Sequence, residues 1–164
     1  MTRNDAEHFK VARTSEFIGH KKKVHSVAWS CTGRKLASGS VDQTARVWVL
    51  DQTGFRNEHK SELELKGHSD SVDQVTWDPK NENQLATASA DKSIRIWDTR
   101  SGKSVAVVPT QGENINISWS PNAQTIAVGS RDDIITFIDT RKFKVSSCLP
   151  FEICLFTTPI HKLD

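Results

Sequence analysis

"LATASADKSIRIWDTR", residues 85–100, is an alternating apolar segment that stops at Ala90-Asp91-Lys92 and resumes as "SIRIW". A period of two on both sides of a short polar break is the pattern of two β-strands joined by a tight turn. "LASGSVDQTARVW", residues 36–48, shows the same thing: Leu, Ala and a small hydroxyl residue lead to Asp42, and Trp48 follows six positions after it, as Trp97 follows Asp91. Two such copies argue for an internal repeat, the feature that decides how the rest of the chain is read.

Working outward, three units align: "GHKKKVHSVAWSCTGRKLASGSVDQTARVWVL" from Gly19, "GHSDSVDQVTWDPKNENQLATASADKSIRIWDTR" from Gly67 and "PTQGENINISWSPNAQTIAVGSRDDIITFIDTR" from Pro109. The matching Trp29, Trp77 and Trp119 lie 48 and 42 residues apart, near the period of about 40 to 45 residues of a four-stranded propeller unit. The polar stretch "DQTGFRNEHKSE" takes up the excess in the first interval as a loop. "VHSVAW", "TARVWVL", "SIRIW", "NINISW" and "IITFI" are short and rich in β-branched or aromatic residues. Turn-forming residues follow each first strand, at Cys31-Thr32-Gly33, Asp78-Pro79-Lys80-Asn81 and Ser120-Pro121-Asn122. Each unit therefore reads as strand, turn, strand, tight turn, strand, with a fourth strand before the next unit and no helix. The divisions expected are an N-terminal segment (1–18) whose "RTSEFI" is an outer closing strand, repeats at 19–66 and 67–108, a degenerate repeat at 109–144 and an atypical tail at 145–164.

Composition bounds the class. A chain of 164 residues, 36% hydrophobic and 26% charged, is long enough for one sizeable core, and its net charge of +2 argues against a dedicated nucleic-acid-binding domain. No stretch approaches the roughly 18 to 20 apolar residues of a membrane helix, and "MTRNDAEHFK" lacks the apolar region of a signal peptide, so no membrane role and a cytosolic or nuclear setting are expected. Cys31, Cys148 and Cys154 are odd in number and lack C-x-x-C spacing, which supports neither a disulfide framework nor a metal site. The sequence also lacks G-x-S-x-G, a phosphate-cradling glycine loop and H-E-x-x-H, so no catalytic residue, cofactor or small-molecule substrate is expected.

Asp42, Asp91 and Asp132 fall at the tight turn between second and third strands, where a carboxylate accepts local backbone N–H groups. A partly buried carboxylate needs several partners to offset its desolvation, so other residues of the unit should point at it. Here Gly19-His20 with Trp48, and Gly67-His68 with Trp97-Asp98, resemble the WD40-repeat family, over about residues 12–144. The resemblance implies an all-β fold of WD40 β-propeller blades, about three four-stranded blades of an incomplete ring. It also implies one hydrogen-bonded network per blade: His20, Ser38, Asp42 and Trp48 in the first, His68, Thr87, Asp91 and Trp97 in the second. In the third unit Thr110, Val128 and Ile138 stand in place of the His, the hydroxyl and the Trp, while Asp132 keeps its position. That blade is expected to rely on apolar packing of Ile115, Ile117, Ile126, Val128, Ile135 and Phe137.

Three function readings arise. "KVHSVAWS", "GHSDSVDQVTWDP" and above all the "GENINI" of residues 112–117 are similar to the WD40 subunits of the THO/TREX messenger-RNA export assembly. That likeness implies a non-catalytic nuclear scaffold, with other THO/TREX subunits as partners, coupling transcription to messenger-RNA packaging and export. The alternative starts from residues 85–100, where Asp91, Trp97, Asp98 and Arg100 are similar to the box by which some WD40 proteins dock as substrate receptors onto cullin-4 RING ubiquitin ligases; the plainer reading gives Asp91 and Trp97 to the blade and Arg100 to a solvated turn. The third is RNA contact by Lys21, Lys22 and Lys23 with His25, Arg34 and Lys35, each phosphate contact weakening with salt. The loop has no interleaved aromatic residue for base stacking, which favours a solvated loop and at most weak or indirect contact. Beyond Lys144 the repeat pattern is expected to end, with "VSSCLPFEICLFTTPIHKLD" as a different ending on a longer family member, its Leu149, Phe151, Ile153, Leu155 and Phe156 able to add a fourth strand. An incomplete ring would leave apolar faces on the first and third blades and favour association with another chain.

Overall fold

The computed structural model describes residues 16–50 and 63–150. It consists of three four-stranded antiparallel sheets. The first is built from β1 (Val24–Trp29), β2 (Lys35–Ser40), β3 (Thr44–Val49) and β4 (Leu63–Lys66). The second is built from β5 (Val72–Trp77), β6 (Gln84–Ser89), β7 (Ser93–Asp98) and β8 (Lys103–Pro109). The third contains β9 (Asn114–Trp119), β10 (Thr125–Ser130), β11 (Ile134–Asp139) and β12 (Lys144–Pro150). In each, the strands lie side by side in chain order, as short tight turns between alternating segments dictate.

The turns repeat as closely as the strands. Gln43, Lys92 and Asp133, each following the turn Asp, take left-handed φ values of 71°, 62° and 54°. Gly33 and Gly102 occupy further left-handed positions at φ 70°, where the absence of Cβ removes the cost. The third unit puts Ala123 and Phe143 at the matching places, at 64° and 47°. A bulky side chain is strained there, and Phe143 is held by packing against the buried cluster that includes Ile96, Trp119 and Ile138. Each first strand also carries an irregularity near its start, at His25, Asp73 and Ile115, where the pairing with the second strand slips by a residue.

The sheets stack face to face with the second in the middle: β1 and β2 pack on β5, and β5 and β6 pack on β9. Between first and second sheets lie Ala37, Ala45, Val47, Leu65, Val72, Val75, Trp77, Leu85 and Trp97. Between second and third lie Ala86, Ala88, Ile94, Ile96, Ile117, Trp119, Ile126, Val128 and Ile138 among others. The alternation of strand side chains thus gives every sheet a backward face, turned to the preceding sheet, and a forward face, turned to the next. On β5, Val75 and Trp77 look backward, and Gln74 reaches forward to the third sheet.

The fourth strand expected after Lys144 is present, and one sequence expectation changes. β12 pairs with β11 from Lys144 to Pro150, with Val145 opposite Ile138 and Leu149 opposite Ile135. A ladder needs only backbone donors and acceptors, so the missing Trp and turn Asp do not prevent it. The expected apolar strand residues Phe151, Ile153, Leu155 and Phe156 lie outside the described residues. At the other end, residues 16–18 of the expected outer strand form no strand, and Arg13, Thr14 and Ser15 lie outside the described residues. A fourth strand pairs with the third strand of its own sheet, and no described sheet precedes the first one. Phe17 instead sits edge-on to Trp48, ring centroids 5.4 Å apart, the place that Leu65 takes beside Trp97 one repeat later. The apolar packing expected in the third unit also divides: Ile117, Ile126 and Val128 are buried, while Ile115, Ile135 and Phe137 are half-buried.

Candidate functional site: two histidine relays and the loops they order

In the second sheet, His68 precedes β5, Thr87 lies on β6, Asp91 in the β6–β7 turn and Trp97 on β7, and all four meet on the backward face. His68 Nδ1 is 2.8 Å from Asp91 Oδ2, His68 Nε2 is 2.7 Å from the Thr87 hydroxyl, and Trp97 Nε1 donates to that hydroxyl over 2.9 Å. The first sheet repeats this. His20 Nδ1 is 2.9 Å from Asp42 Oδ2 and Nε2 is 2.8 Å from Ser38 Oγ, and Trp48 Nε1 donates to Ser38 Oγ over 3.1 Å. The proton order follows from donor inventory. Indole N–H can only donate and an ionised carboxylate can only accept, so in the neutral ring Nδ1–H donates to Asp and Nε2 accepts the hydroxyl proton. The chain Trp, hydroxyl, His, Asp is then satisfied at every link.

Each carboxylate also gathers backbone. Asp91 accepts the Ser69 and Ser93 amides at 3.1 and 3.0 Å and the Ser93 hydroxyl at 2.7 Å. Asp42 accepts the Lys21 and Thr44 amides at 2.8 and 3.1 Å and the Thr44 hydroxyl at 2.7 Å. Burial drives both carboxyls upward in pKa, and these bonds, with the histidine's, more than reverse it, holding both below the usual carboxylate range. His68 is shifted downward, first by its burial and also by the charge of Arg95, against the opposing pull of Asp91. The neutral ring that the relay needs is therefore the favoured form.

What the relays hold in place is a pair of loops. Through the Lys21 amide on Asp42, and the Lys22 carbonyl accepting from Ser40 Oγ at 3.3 Å, the loop entering β1 is pinned by its backbone. Lys21, Lys22 and Lys23 are exposed. Ser69 and Asp70 are tied the same way to Asp91 and Ser89. On the opposite rim, Lys35 Nζ reaches from the first sheet to Asn83 Oδ1 at 2.8 Å and to the Glu82 carbonyl at 3.1 Å. Arg100 lies on that rim too, exposed, its Nε and Nη2 on the Asp98 carboxylate at 3.2 and 3.3 Å; this pairing raises the Arg100 pKa and lowers that of Asp98.

The third unit forms no such relay. Asp132 is exposed, and its turn is closed by Ser130 Oγ, which accepts the Asp132 and Ile134 amides at 3.3 Å each. Val128 and Ile138 fill the hydroxyl and indole positions and are buried. Gly112 lies so close to Asp132 that a Cβ there would clash with Oδ2. The most deeply buried polar residue of this unit among the described residues is one the sequence reading did not single out, Asn114. Its Nδ2 donates to the carbonyls of Ser89 and Ser93 at 3.1 and 3.3 Å, and its Oδ1 accepts the Thr110 hydroxyl at 2.9 Å. The third sheet is thereby fastened to the very turn that carries Asp91. The signal available was its position inside the idiosyncratic "GENINI" stretch, four residues after Thr110.

Comparison with known proteins places these observations. Residues 11–49 and 59–98 match the family model described as "WD domain, G-beta repeat". Among curated relatives, THO complex subunit 3 of Arabidopsis thaliana is 57% identical over 83% of this chain and 42% of its own length. WD repeat-containing protein AAC3 of Dictyostelium discoideum is 38% identical over 89% of this chain and 34% of its own length. The chain thus spans well under half of either relative. Among solved structures, the WD40 domain of Toxoplasma gondii coronin superposes with a TM-score of 0.73 at 22% identity, covering 80% of this chain and 35% of that one. That likeness concerns the fold.

Proposed function

This chain belongs to the WD40-repeat family, and from that premise we propose that it serves as a non-catalytic scaffold subunit of a THO-type complex in the nucleus, where it helps couple transcription to messenger-RNA packaging and export. The observation that carries the reading is the 57% identity to THO complex subunit 3 over 83% of the chain. The geometry supports a scaffold: the two buried pairs, His20 with Asp42 and His68 with Asp91, hold turns and loops rather than facing a cleft. The surfaces presented are the pinned loops, Lys21, Lys22 and Lys23 in the first blade and Ser69, Asp70 and Ser71 in the second. RNA contact is weak or indirect, since the lysine charges act without a stacking surface.

Affinity purification of the tagged chain from nuclear extract tests this. The expected result is recovery of the other THO subunits. Recovery instead of the cullin-4 adaptor, lost on Arg100→Ala, would replace the reading with the ubiquitin-ligase one.

A further inference from the structure

Two seams between sheets reach the rim opposite the pinned loops, and they are closed differently. At the first, Lys35 Nζ crosses from β2 to Asn83 Oδ1, to the Glu82 carbonyl and, at 3.3 Å, to the Thr99 hydroxyl. Leu63 of β4 packs over Gly102, where a Cβ would stand 2.9 Å from Leu63 Cδ1. At the second seam each of these parts is exchanged. Gln84 pairs opposite Asp98 as Lys35 pairs opposite Val49, and its shorter side chain makes no bridge to the third sheet. Ala106 pairs opposite Ile96 as Leu63 pairs opposite Val47. Phe143 stands where Gly102 stands one repeat earlier. The exchange leaves a cavity of about 280 Å³ between the second and third sheets, lined by Asn81, Asn83, Gln84, Arg100, Val105 and Phe143 beside Asp98. Both of its walls belong to described sheets, so the cavity does not depend on an uncovered outer face.

The chemistry around it is apolar inside and basic outside. Phe143 is held at φ 47°, a strained conformation for its side chain. Val105 is 53% exposed at the wall, and Val107, further along β8, is 50% exposed. β8 is the outer strand of its sheet, so its far edge has no strand beside it. Asn81, Asn83 and Gln84 add carboxamides that both donate and accept. On and beside the three turns that meet here, Lys80, Arg100, Lys103, Arg141, Lys142 and Lys144 are all exposed. The nearby carboxylates are already engaged: Asp98 by Arg100, Asp139 by Arg141, and Asp78 by the amides of its own turn. Among the described residues Lys80, Lys103, Lys142 and Lys144 form no ion pair. An apolar recess thus opens into a surplus of positive charge.

We propose that this cavity is a docking site for an acidic peptide segment of a partner protein, one apolar side chain of which enters between Val105 and Phe143 while its carboxylates lie among Arg100, Lys103 and Lys142. Charge complementarity sets the sign of the segment. The carboxamides and the free edge of β8 suit a peptide backbone, which donates and accepts hydrogen bonds along its length. A nucleic-acid backbone would use the lysines and leave the apolar recess empty, which favours the peptide over RNA. The inference goes beyond the scaffold reading, since it names a site and a ligand chemistry whichever complex the chain enters.

A random-sequence peptide library panned on the purified full chain tests it, followed by fluorescence anisotropy of the enriched peptides. The expected result is enrichment of sequences that combine acidic residues with an apolar one, their binding weakened about tenfold by Val105→Asp and about threefold by Lys142→Gln. Lys92→Gln, the same loss of charge on the other rim, where Gln43 already fits the matching turn, should leave binding unchanged. Gln84→Lys gives the second seam the lysine of the first; it adds positive charge but fills the recess, and should also weaken binding. Circular-dichroism melts check that each variant folds, and Lys103→Gln replaces Lys142→Gln if that one does not. Enriched peptides without acidic residues, equal effects of Lys92→Gln and Lys142→Gln, tighter binding by Gln84→Lys, or easier displacement of the peptides by oligouridine than by unlabelled peptide would overturn the proposal.

Discussion

The second and third sheets share strand order, length and the slipped pairing at the start of the first strand, yet they fill their centres by opposite means. The second places a hydroxyl, an imidazole, a carboxylate and an indole N–H on its backward face and satisfies all of them. The third places Val128 and Ile138 there and leaves Asp132 at the surface. Replacing both partners of a buried hydrogen bond by apolar groups costs little, whereas removing one partner strands the other. The repeat therefore demands a filled and polar-satisfied centre rather than particular residues. What the relay adds is a backbone tether, since Asp91 holds the Ser69 amide of the incoming loop while Asp132 holds none.

The widest gap between the two sheets should appear on removing their turn carboxylates. Asp91→Ala leaves His68 Nδ1–H, two amides and a hydroxyl without an acceptor in a site where the His68 and Asp91 side chains are 1% and 8% exposed. At about 1 to 3 kcal/mol for each buried group left unsatisfied, with partial relaxation, the loss should be about 2 to 5 kcal/mol by urea denaturation. Asp132→Ala removes an exposed carboxylate with no such donors, and a change within about 0.5 kcal/mol is expected. Equal losses would break the contrast.

Asn114→Ala sharpens it from the other side. Asn114 fastens the third sheet to the second, and its loss strands the carbonyls of Ser89 and Ser93, which should cost about 1 to 3 kcal/mol. A smaller effect than that of Asp132→Ala would show that apolar packing alone seats the third sheet.

A gentler probe is pH. The folded state holds the His68 pKa below its ordinary value of about 6.5, so as pH falls below that point the unfolded chain takes up a proton that the folded chain resists. Stability conferred by the neutral ring is whole above about pH 6.5 and is lost progressively as pH falls toward the folded pKa. Asp42 and Asp91, held low, keep their contribution above about pH 4 and lose it below as they protonate. Denaturation midpoints between pH 7.5 and 5.5 should therefore decline, and His68→Gln should flatten that decline while Asp132→Ala leaves it unaltered. The smallest effect should come from Arg100→Ala, which removes an exposed pairing with Asp98 and is expected to leave the melting temperature unchanged.

Most of the strand plan was legible because a period of two, broken by turn residues at fixed offsets, survives in all three units. The relay residues came from the family resemblance, and the local chemistry made sense of them: a turn Asp that is half-buried needs donors, and the His, hydroxyl and Trp at fixed distances supply them. Asn114 was not legible, because an Asn at the start of a strand reads as a solvated cap until the β6–β7 turn of another unit is known to lie against it. The same holds for Lys35, whose partners Glu82 and Asn83 are far away in sequence. The slipped pairings left no trace, since one unpaired residue does not disturb composition, whereas the apolar residues after Lys144 allowed a fourth strand whose register against β11 only the structure supplies.

The central claim, that a directed relay from indole to carboxylate organises the first two sheets, is tested most directly by the ring protons. In a long-range proton–nitrogen correlation spectrum at pH 7.5, His68 should appear as a neutral ring carrying its proton on Nδ1, with Nε2 accepting from Thr87, and His20 should show the same Nδ1–H bonded to Asp42. Rings that carry it on Nε2, or that exchange rapidly between the two forms, would contradict the account.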